Sequence, residues 1–260
     1  MACGYYHDGL CGDTGRYCPH GDSLRGTVDM LPDVFFLPWV GPNYGKRMHR
    51  WGKVMVLGNT NICLYGSRVC GMDGKCPQTR TPACCWRTVT ECRKMDHPLL
   101  TFVTRMLLGL HVETEIPLPF QQSGWNEIVF ANYLSVALSS ARVCGSMQQY
   151  RRSDAAFQQL LQRYRPSLVL YVGGRDLYNR ISWDRFDVDE DFTCQDVSLY
   201  CHAYLMPEIG YHVLTVWLPY PALFGKVVTP DRWYMAITRM METRGHHDSY
   251  SETGNVTVWE

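Results

Sequence analysis

The stretch Arg165-Pro166-Ser167-Leu168-Val169-Leu170-Tyr171-Val172-Gly173-Gly174 decides the fold of this chain. Its apolar run, 168–172, follows a proline that ends the helix predicted before it, and this pattern indicates a strand. The glycine pair that follows predicts a sharp turn out of the strand and into a short helix. The stretch therefore indicates one strand–turn–helix unit of an α/β protein.

The same alternation continues on both sides of this unit. Further strands are predicted at 54–57, 127–132 and 211–218, and helices at 97–110, 153–164 and 229–245, with Ser153 as the N-cap of the second helix. Strands separated by helices indicate a parallel sheet with helices on both faces. We therefore expect a three-layer α/β sandwich around a central, mostly parallel four-stranded sheet.

Composition bounds the classes of function. The chain has 260 residues, 46% of them apolar, and its 25 basic residues equal its 25 acidic residues in number. This balance argues against a histone-like protein that binds many phosphates, but not against an enzyme that contacts a few of them. Since no apolar run approaches the roughly 20 residues of a membrane helix and the start lacks a signal peptide, we expect a cytoplasmic monomer without a membrane partner.

Functional sites of parallel sheets lie at the carboxyl ends of the strands. Here these ends are 58–62, 132–133, 173–176 and 219–224. In order and spacing over residues 52–241, they resemble the motifs of the uracil-DNA glycosylase superfamily. Segment 56–61 resembles the first motif, Asn132 the base-reading Asn, 165–174 the Arg-Pro strand, and 217–222 the loop that grips DNA.

The resemblance implies a DNA glycosylase that flips a pyrimidine out of DNA and hydrolyses its N-glycosidic bond without a catalytic cofactor. An Asn amide can face a base edge or orient a water. The implied catalytic residues are Asn61, Asn59 and Thr60; the implied base-binding residues are Asn132, Phe130, Tyr133 and Tyr65; the implied DNA-binding residues are Pro219, Tyr220, Pro221, Arg175 and Lys226.

Two departures from the family pattern bear on the substrate. Thr60 stands where the family has its catalytic Asp or Asn, and Leu218 stands where it has a histidine. No tyrosine follows the first motif at the step that excludes bulky bases, so the expected substrate is a bulky modified cytosine of phage DNA, or uracil. The alternatives are a non-catalytic, zinc-containing nucleic-acid-binding protein on a degenerate glycosylase fold, and an unrelated α/β hydrolase or nucleotide-binding enzyme. No nucleophile-elbow, phosphate-loop or dinucleotide motif supports the last.

Twelve cysteines are many for a cytosolic chain, and most of them precede residue 93. Their clustering indicates metal ligation rather than disulfides, with buried free thiols as the alternative. Cys3, Cys11, Cys18 and His20 form a candidate structural zinc site, and Cys70, Cys76, Cys84, Cys85 and Cys92 form a second cluster. The expected organisation is a Cys-rich segment at 1–50, a glycosylase-like domain at 51–245 with a Cys-rich loop at 63–92, and a polar tail at 246–260.

The zinc site can be tested directly. We expect about one or two zinc ions per purified chain, and Cys11→Ser should lose metal and stability together because the binding free energy contributes to folding. Metal content by atomic spectroscopy, with unfolding followed in parallel, is the measurement. Less than about a tenth of an equivalent of metal in unchelated protein would rule the site out.

Overall fold

The computed structural model describes residues 38–46, 49–62, 98–116, 124–134, 137–138, 145–181, 186–194, 197–206, 211–219 and 228–251. The elements in this part of the chain are β1 (Trp39–Val40), β2 (Val54–Gly58), β3 (Asn61–Ile62), α1 (Pro98–Leu108), β4 (Ile128–Asn132), β5 (Ala137–Leu138), α2 (Met147–Tyr164), β6 (Leu168–Gly173), α3 (Arg175–Tyr178), β7 (Phe186–Cys194), β8 (Val197–Met206), β9 (Tyr211–Pro219) and α4 (Pro230–Ser251).

Within these residues, seven strands form one mixed sheet in the order β1-β4-β2-β6-β9-β8-β7. The predicted α/β class is confirmed, and the four predicted strands are adjacent and mutually parallel. The prediction of a four-stranded sheet is wrong, because β1 pairs antiparallel with β4 at one end, and β8 and β7 extend the other end by antiparallel pairing. Strand β1 has only two residues and β7 is rich in acidic residues, so neither shows an apolar strand pattern.

Alternation along the strands divides the core into two layers. Val56 and Leu170 face α1 and α4, and they pack in one cluster with Val103 of α1 and Ile237 of α4. Leu57 and its same-face neighbours pack instead against α2 and α3. The central strands β2, β4 and β6 are buried along their whole length, as parallel strands covered on both faces must be. The described residues therefore form a sandwich of helix, sheet and helix layers.

The second helix begins earlier than the sequence analysis predicted. Ser146 is the N-cap of α2, and its hydroxyl and the Gln149 side chain form a capping box with each other's backbone. Ser153, the predicted cap, lies inside the helix, where its hydroxyl donates to the Gln149 carbonyl at 2.8 Å. The prediction was wrong because a buried Ser on a helix can satisfy its hydroxyl on its own backbone.

The observed elements at both ends of the predicted domain 51–245 extend beyond its predicted bounds. Residues 38–46 and 49–50 of the N-terminal segment 1–50 are described, and they include the edge strand β1. Helix α4 continues to Ser251, past the predicted end at Gly245. None of the helices in the described ranges is long and apolar enough to cross a membrane.

A buried polar pair joins α1 to the segment before β4. The indole nitrogen of Trp125 donates to the Thr104 hydroxyl at 2.9 Å, and that hydroxyl donates to the Leu100 carbonyl at 2.7 Å. Both side chains are buried. The hydroxyl thus satisfies the one polar atom of a large aromatic side chain inside the core.

Thr104→Val should destabilise the fold by about 1–3 kcal/mol, because it leaves the Trp125 N–H without its acceptor at nearly constant side-chain volume. Thr243 is the matched control, since it makes the same bond to a helix carbonyl (Arg239 oxygen, 2.9 Å) but is exposed. Thr243→Val should stay within about 0.5 kcal/mol of the original chain. Urea unfolding measures both variants, and equal losses would contradict the role of the Trp125 bond.

Candidate functional site

The register of the parallel strands brings their carboxyl ends to one edge of the sheet. Gly58 at the end of β2 pairs with Asn132 of β4 on one side and with Val172 of β6 on the other. Gly173 of β6 pairs in turn with Pro219 of β9. We call this set of strand ends the carboxyl edge. It brings together the predicted segments 58–62, 132–133 and 173–176, and Pro219 from the predicted segment 219–224.

Asn132 lies across Gly58 on the sheet face covered by α1 and α4. A Cβ atom at position 58 would stand 2.6 Å from the Asn132 Oδ1 and 3.7 Å from the ring of Phe130. Glycine is therefore required at position 58 for the amide to lie where it does. Asn132 is 8% exposed, so the amide lies at the boundary between the core and the carboxyl edge.

Asn59 makes a different set of contacts, on the face covered by α2. Its Oδ1 accepts a hydrogen bond of 2.5 Å from the hydroxyl of Tyr171. The amide lies directly on Gly173, where a Cβ atom would stand 1.8 Å from the same Oδ1. Tyr171 is 0% exposed, and this burial raises the pKa of its hydroxyl well above the ordinary value. The hydroxyl therefore stays protonated and acts as a donor.

The two asparagines thus lie at the same edge but on opposite faces of the sheet. Asn132 shares its face with Phe130, whereas Asn59 shares its face with Tyr171, as the alternation along each strand requires. A ligand that contacts both amides must therefore extend across the carboxyl edge from one face to the other. Roles that the sequence analysis gave to one pocket are therefore divided between two sides of the carboxyl edge.

Arg175 holds a fixed position beside the Asn59 face. Its guanidinium carbon is 4.4 Å from the ring centre of Tyr200 and 5.8 Å from that of Trp217. The Trp217 indole donates to the Gly173 carbonyl at 2.9 Å, which ties this aromatic pair to the carboxyl edge. Arg175 is exposed, so stacking orients a charge that solvent or a ligand can reach.

The predicted stacking rings lie inside the core. Phe130 is 2% exposed and packs edge-to-face with Trp125, with ring centres 5.7 Å apart. Tyr133 is 1% exposed, packs edge-to-face with Phe157, and donates its hydroxyl to Asp154. Burial, followed by that hydrogen bond, raises the pKa of Tyr133. Neither ring offers an open face to a base in this arrangement, so their stacking role stays a prediction.

The remaining predicted residues fall into two groups. Thr60 is half-buried, Asn61 pairs through its backbone with Ala137 in the β3–β5 ladder, and Pro219 is buried at the end of β9. Outside the described residues lie Tyr65, Tyr220, Pro221, Lys226, the zinc candidates Cys3, Cys11, Cys18 and His20, and the cluster Cys70, Cys76, Cys84, Cys85 and Cys92. The residues that the structure does describe contain no group of three or more potential metal ligands. Two cysteines among them, Cys194 and Cys201, are free thiols.

Three contributors to the site were missed by the sequence analysis: Tyr171, Trp217 and Tyr200. Tyr171 carried a usable signal, because a tyrosine in a fully apolar strand must find a partner for its hydroxyl, and the strand end two residues away is the nearest polar region. Tyr200 also carried a signal, because β8 alternates the buried Val197, Leu199 and Cys201 with Ser198 and Tyr200, and this period of two is typical of a strand.

Comparison of the chain with protein families and with curated proteins finds no match. Its function is therefore argued from the geometry of the carboxyl edge.

The contact of Asn59 with Gly173 gives a test of this geometry. Gly173→Ala should displace the Asn59 amide and break its bond to Tyr171, at a cost of about 1 kcal/mol. Gly174 is the matched control, because a Cβ atom there meets nothing within 4 Å and the residue has φ −70°. Gly174 is the N-cap of the short α3, where alanine is less favourable than glycine, so Gly174→Ala should cost at most about 1 kcal/mol and leave the Asn59 amide in place. Urea unfolding and the side-chain amide resonance of Asn59 report the difference; an unmoved resonance in Gly173→Ala would contradict the contact.

Proposed function

We propose that this protein is a DNA glycosylase that flips a uracil or a bulky modified cytosine out of DNA and hydrolyses its N-glycosidic bond. The observation that carries the proposal is the position of the Asn132 amide, held across Gly58 at the carboxyl ends of parallel strands. An amide offers one acceptor and two donors, which is the pattern needed to face the Watson–Crick edge of a pyrimidine.

The preorganisation of Asn132 supports a recognition role. The missing side chain at Gly58 allows the amide to lie against β2, and the buried ring of Phe130 lies near the same position of β2. A polar group fixed by packing loses little conformational entropy when a ligand binds. Such a group discriminates between bases, because a wrong base would leave buried donors or acceptors unpaired.

Arg175 supports contact with DNA. The chain carries no net charge, so attraction to DNA must come from local basic groups rather than from a general field. Stacking on Tyr200 and Trp217 holds the Arg175 guanidinium at the edge and leaves it exposed. A guanidinium in this position suits a bidentate contact with one phosphate group.

One observation favours a second candidate, a protein that binds nucleic acid without excising a base. A water placed for attack on the sugar needs an acceptor, and the Tyr171 hydroxyl already occupies one of the two lone pairs of the Asn59 Oδ1. Thr60 and Asn61 are the other residues of the first motif that could position the water. If neither positions it, the carboxyl edge recognises a base without hydrolysing its bond.

The appearance of abasic sites separates the two functions. Purified protein is incubated with plain DNA, uracil-containing DNA, and phage DNA containing hydroxymethyl- or glucosyl-cytosine, and the product is labelled at abasic sites. We expect labelling of one modified DNA and none of plain DNA. Absence of labelling in every DNA, with DNA binding retained, would favour the non-catalytic function.

Asn132→Ala should lower single-turnover base release on the best substrate by at least about 10²-fold, as expected for the loss of a positioned group in the transition state. Affinity for plain DNA should change little, because phosphate contacts supply most non-specific binding. Asn179→Ala is the matched control, since Asn179 is exposed at the end of α3 and lies outside the carboxyl edge. Base release in Asn132→Ala at the rate of this control would place base reading elsewhere.

A further inference from the structure

The Tyr171–Asn59 hydrogen bond decides which end of the Asn59 amide faces a ligand. An asparagine amide is ambiguous, because a rotation of 180° exchanges its acceptor and its donor. Here the Tyr171 hydroxyl donates to the Asn59 Oδ1 at 2.5 Å. This bond directs the oxygen at Tyr171 and leaves the Nδ2 on the other side of the amide.

The surroundings of Asn59 hold the amide in this orientation. The backbone at Gly173 leaves room for the amide only because no Cβ atom is present there. The Tyr171 side chain cannot move to follow another rotamer, because its ring is buried and packs against Tyr178 with ring centres 5.3 Å apart. The half-buried Asn59 therefore presents its Nδ2, with two N–H donors, to the carboxyl edge.

We propose that Tyr171 is a positioning residue that makes Asn59 a hydrogen-bond donor for an acceptor oxygen of DNA. The inference rests on the proposed function and deepens it, since it assigns Asn59 to ligand binding and removes it from water activation. The acceptor is a carbonyl oxygen of the flipped base or a phosphate oxygen of the strand beside it. The exposed guanidinium of Arg175, which follows Gly173 by two residues and stacks on Tyr200, is a second donor at the carboxyl edge.

Two substitutions that remove the N–H donors of Asn59, one of which also adds a negative charge, test the assignment. Asn59→Asp keeps an acceptor for Tyr171 but replaces both N–H donors with a carboxylate oxygen. It should weaken binding of DNA by more than Asn59→Ala, which should itself weaken it by about fivefold or more. A water-activating Asn59 predicts the reverse, because a carboxylate orients water better than an amide does. Asn59→Asp with wild-type affinity and equal or faster base release would overturn the inference.

Two DNA probes identify the source of the oxygen. An oligonucleotide with a tetrahydrofuran abasic analogue retains every phosphate but lacks the base, and a matched oligonucleotide carries uracil or the modified cytosine. If Asn59 donates to a phosphate, Asn59→Asp weakens binding of both probes. If Asn59 donates to the base, only binding of the base-containing probe is weakened. Equal affinity of wild-type and variant protein for both probes would overturn the inference.

The role of Tyr171 is tested by a double-mutant cycle on the same affinities. Tyr171→Phe keeps the buried ring, removes the hydroxyl and frees the amide to rotate, and it should weaken binding by about threefold. In an Asn59→Ala background it should have no further effect, because its action passes through Asn59. If Tyr171→Phe weakened DNA binding equally in wild-type and Asn59→Ala protein, its effect would not pass through Asn59, and the positioning role would be overturned.

Tyr178→Phe is the matched control. Its hydroxyl is also buried, and it bonds to the Thr215 hydroxyl at 3.1 Å and to the Thr215 carbonyl at 3.3 Å. It should leave DNA affinity unchanged in either background. Weakening equal to that in Tyr171→Phe would assign the effect to general loss of a buried hydrogen bond and would overturn the inference.

The test of Asn59 as a donor and the test of glycosylase activity can fail independently. Wild-type protein that binds both probes but releases no base would exclude a glycosylase, while the affinity comparisons would still decide the role of Asn59. Wild-type protein that releases base, with Asn59→Asp equally active, would overturn the inference alone. Failure of wild-type protein to bind either probe would overturn both.

Discussion

Parallel pairing of β6 with β2 and with β9 is the constraint on which the carboxyl edge depends. The residues of β6 are fully buried, so their hydrogen-bonding groups must be satisfied by the two neighbouring strands. That requirement sets one register across the sheet. Gly58, Val172 and Leu218 consequently lie in line, and the polar residues that follow these strands meet at one edge.

The register also places two glycines where they leave space for side-chain amides of the neighbouring strands. Gly58 lies under the Asn132 amide and Gly173 under the Asn59 amide, and a Cβ atom at either position would overlap the amide oxygen. Each glycine thus allows an amide to lie against the sheet instead of extending into solvent. A fixed amide loses less entropy on binding than a mobile one does, so each hydrogen bond that it makes contributes more to affinity.

Division of the two amides between opposite faces gives the edge two different chemical sides. The face of Asn132 also carries the buried ring of Phe130, which suits a base that is removed from water. The face of Asn59 carries the buried hydroxyl of Tyr171 and the exposed guanidinium of Arg175, which stacks on Tyr200. Donors dominate that side, and oxygen-rich groups of nucleic acid are the ligands that donors suit.

The sequence by itself determined the α/β class, the four central strands and the edge at which polar residues collect. It did so because strands buried on both faces are continuous apolar runs, and their ends are marked by glycine, asparagine and proline. Local pattern was a weaker guide for serine, whose hydroxyl can cap a helix or bond to a carbonyl within it. Helix α2 begins after Ser146, whereas Ser153, the predicted cap, lies inside the helix. The acidic β7 and the short β1 had no apolar pattern that would reveal them. Only the tertiary structure decided that Tyr171 directs Asn59, and that Arg175 stacks on Tyr200 and Trp217. These contacts join residues up to 112 positions apart, and they exist only because inter-strand register and strand alternation place the side chains on the same face, which no local propensity encodes.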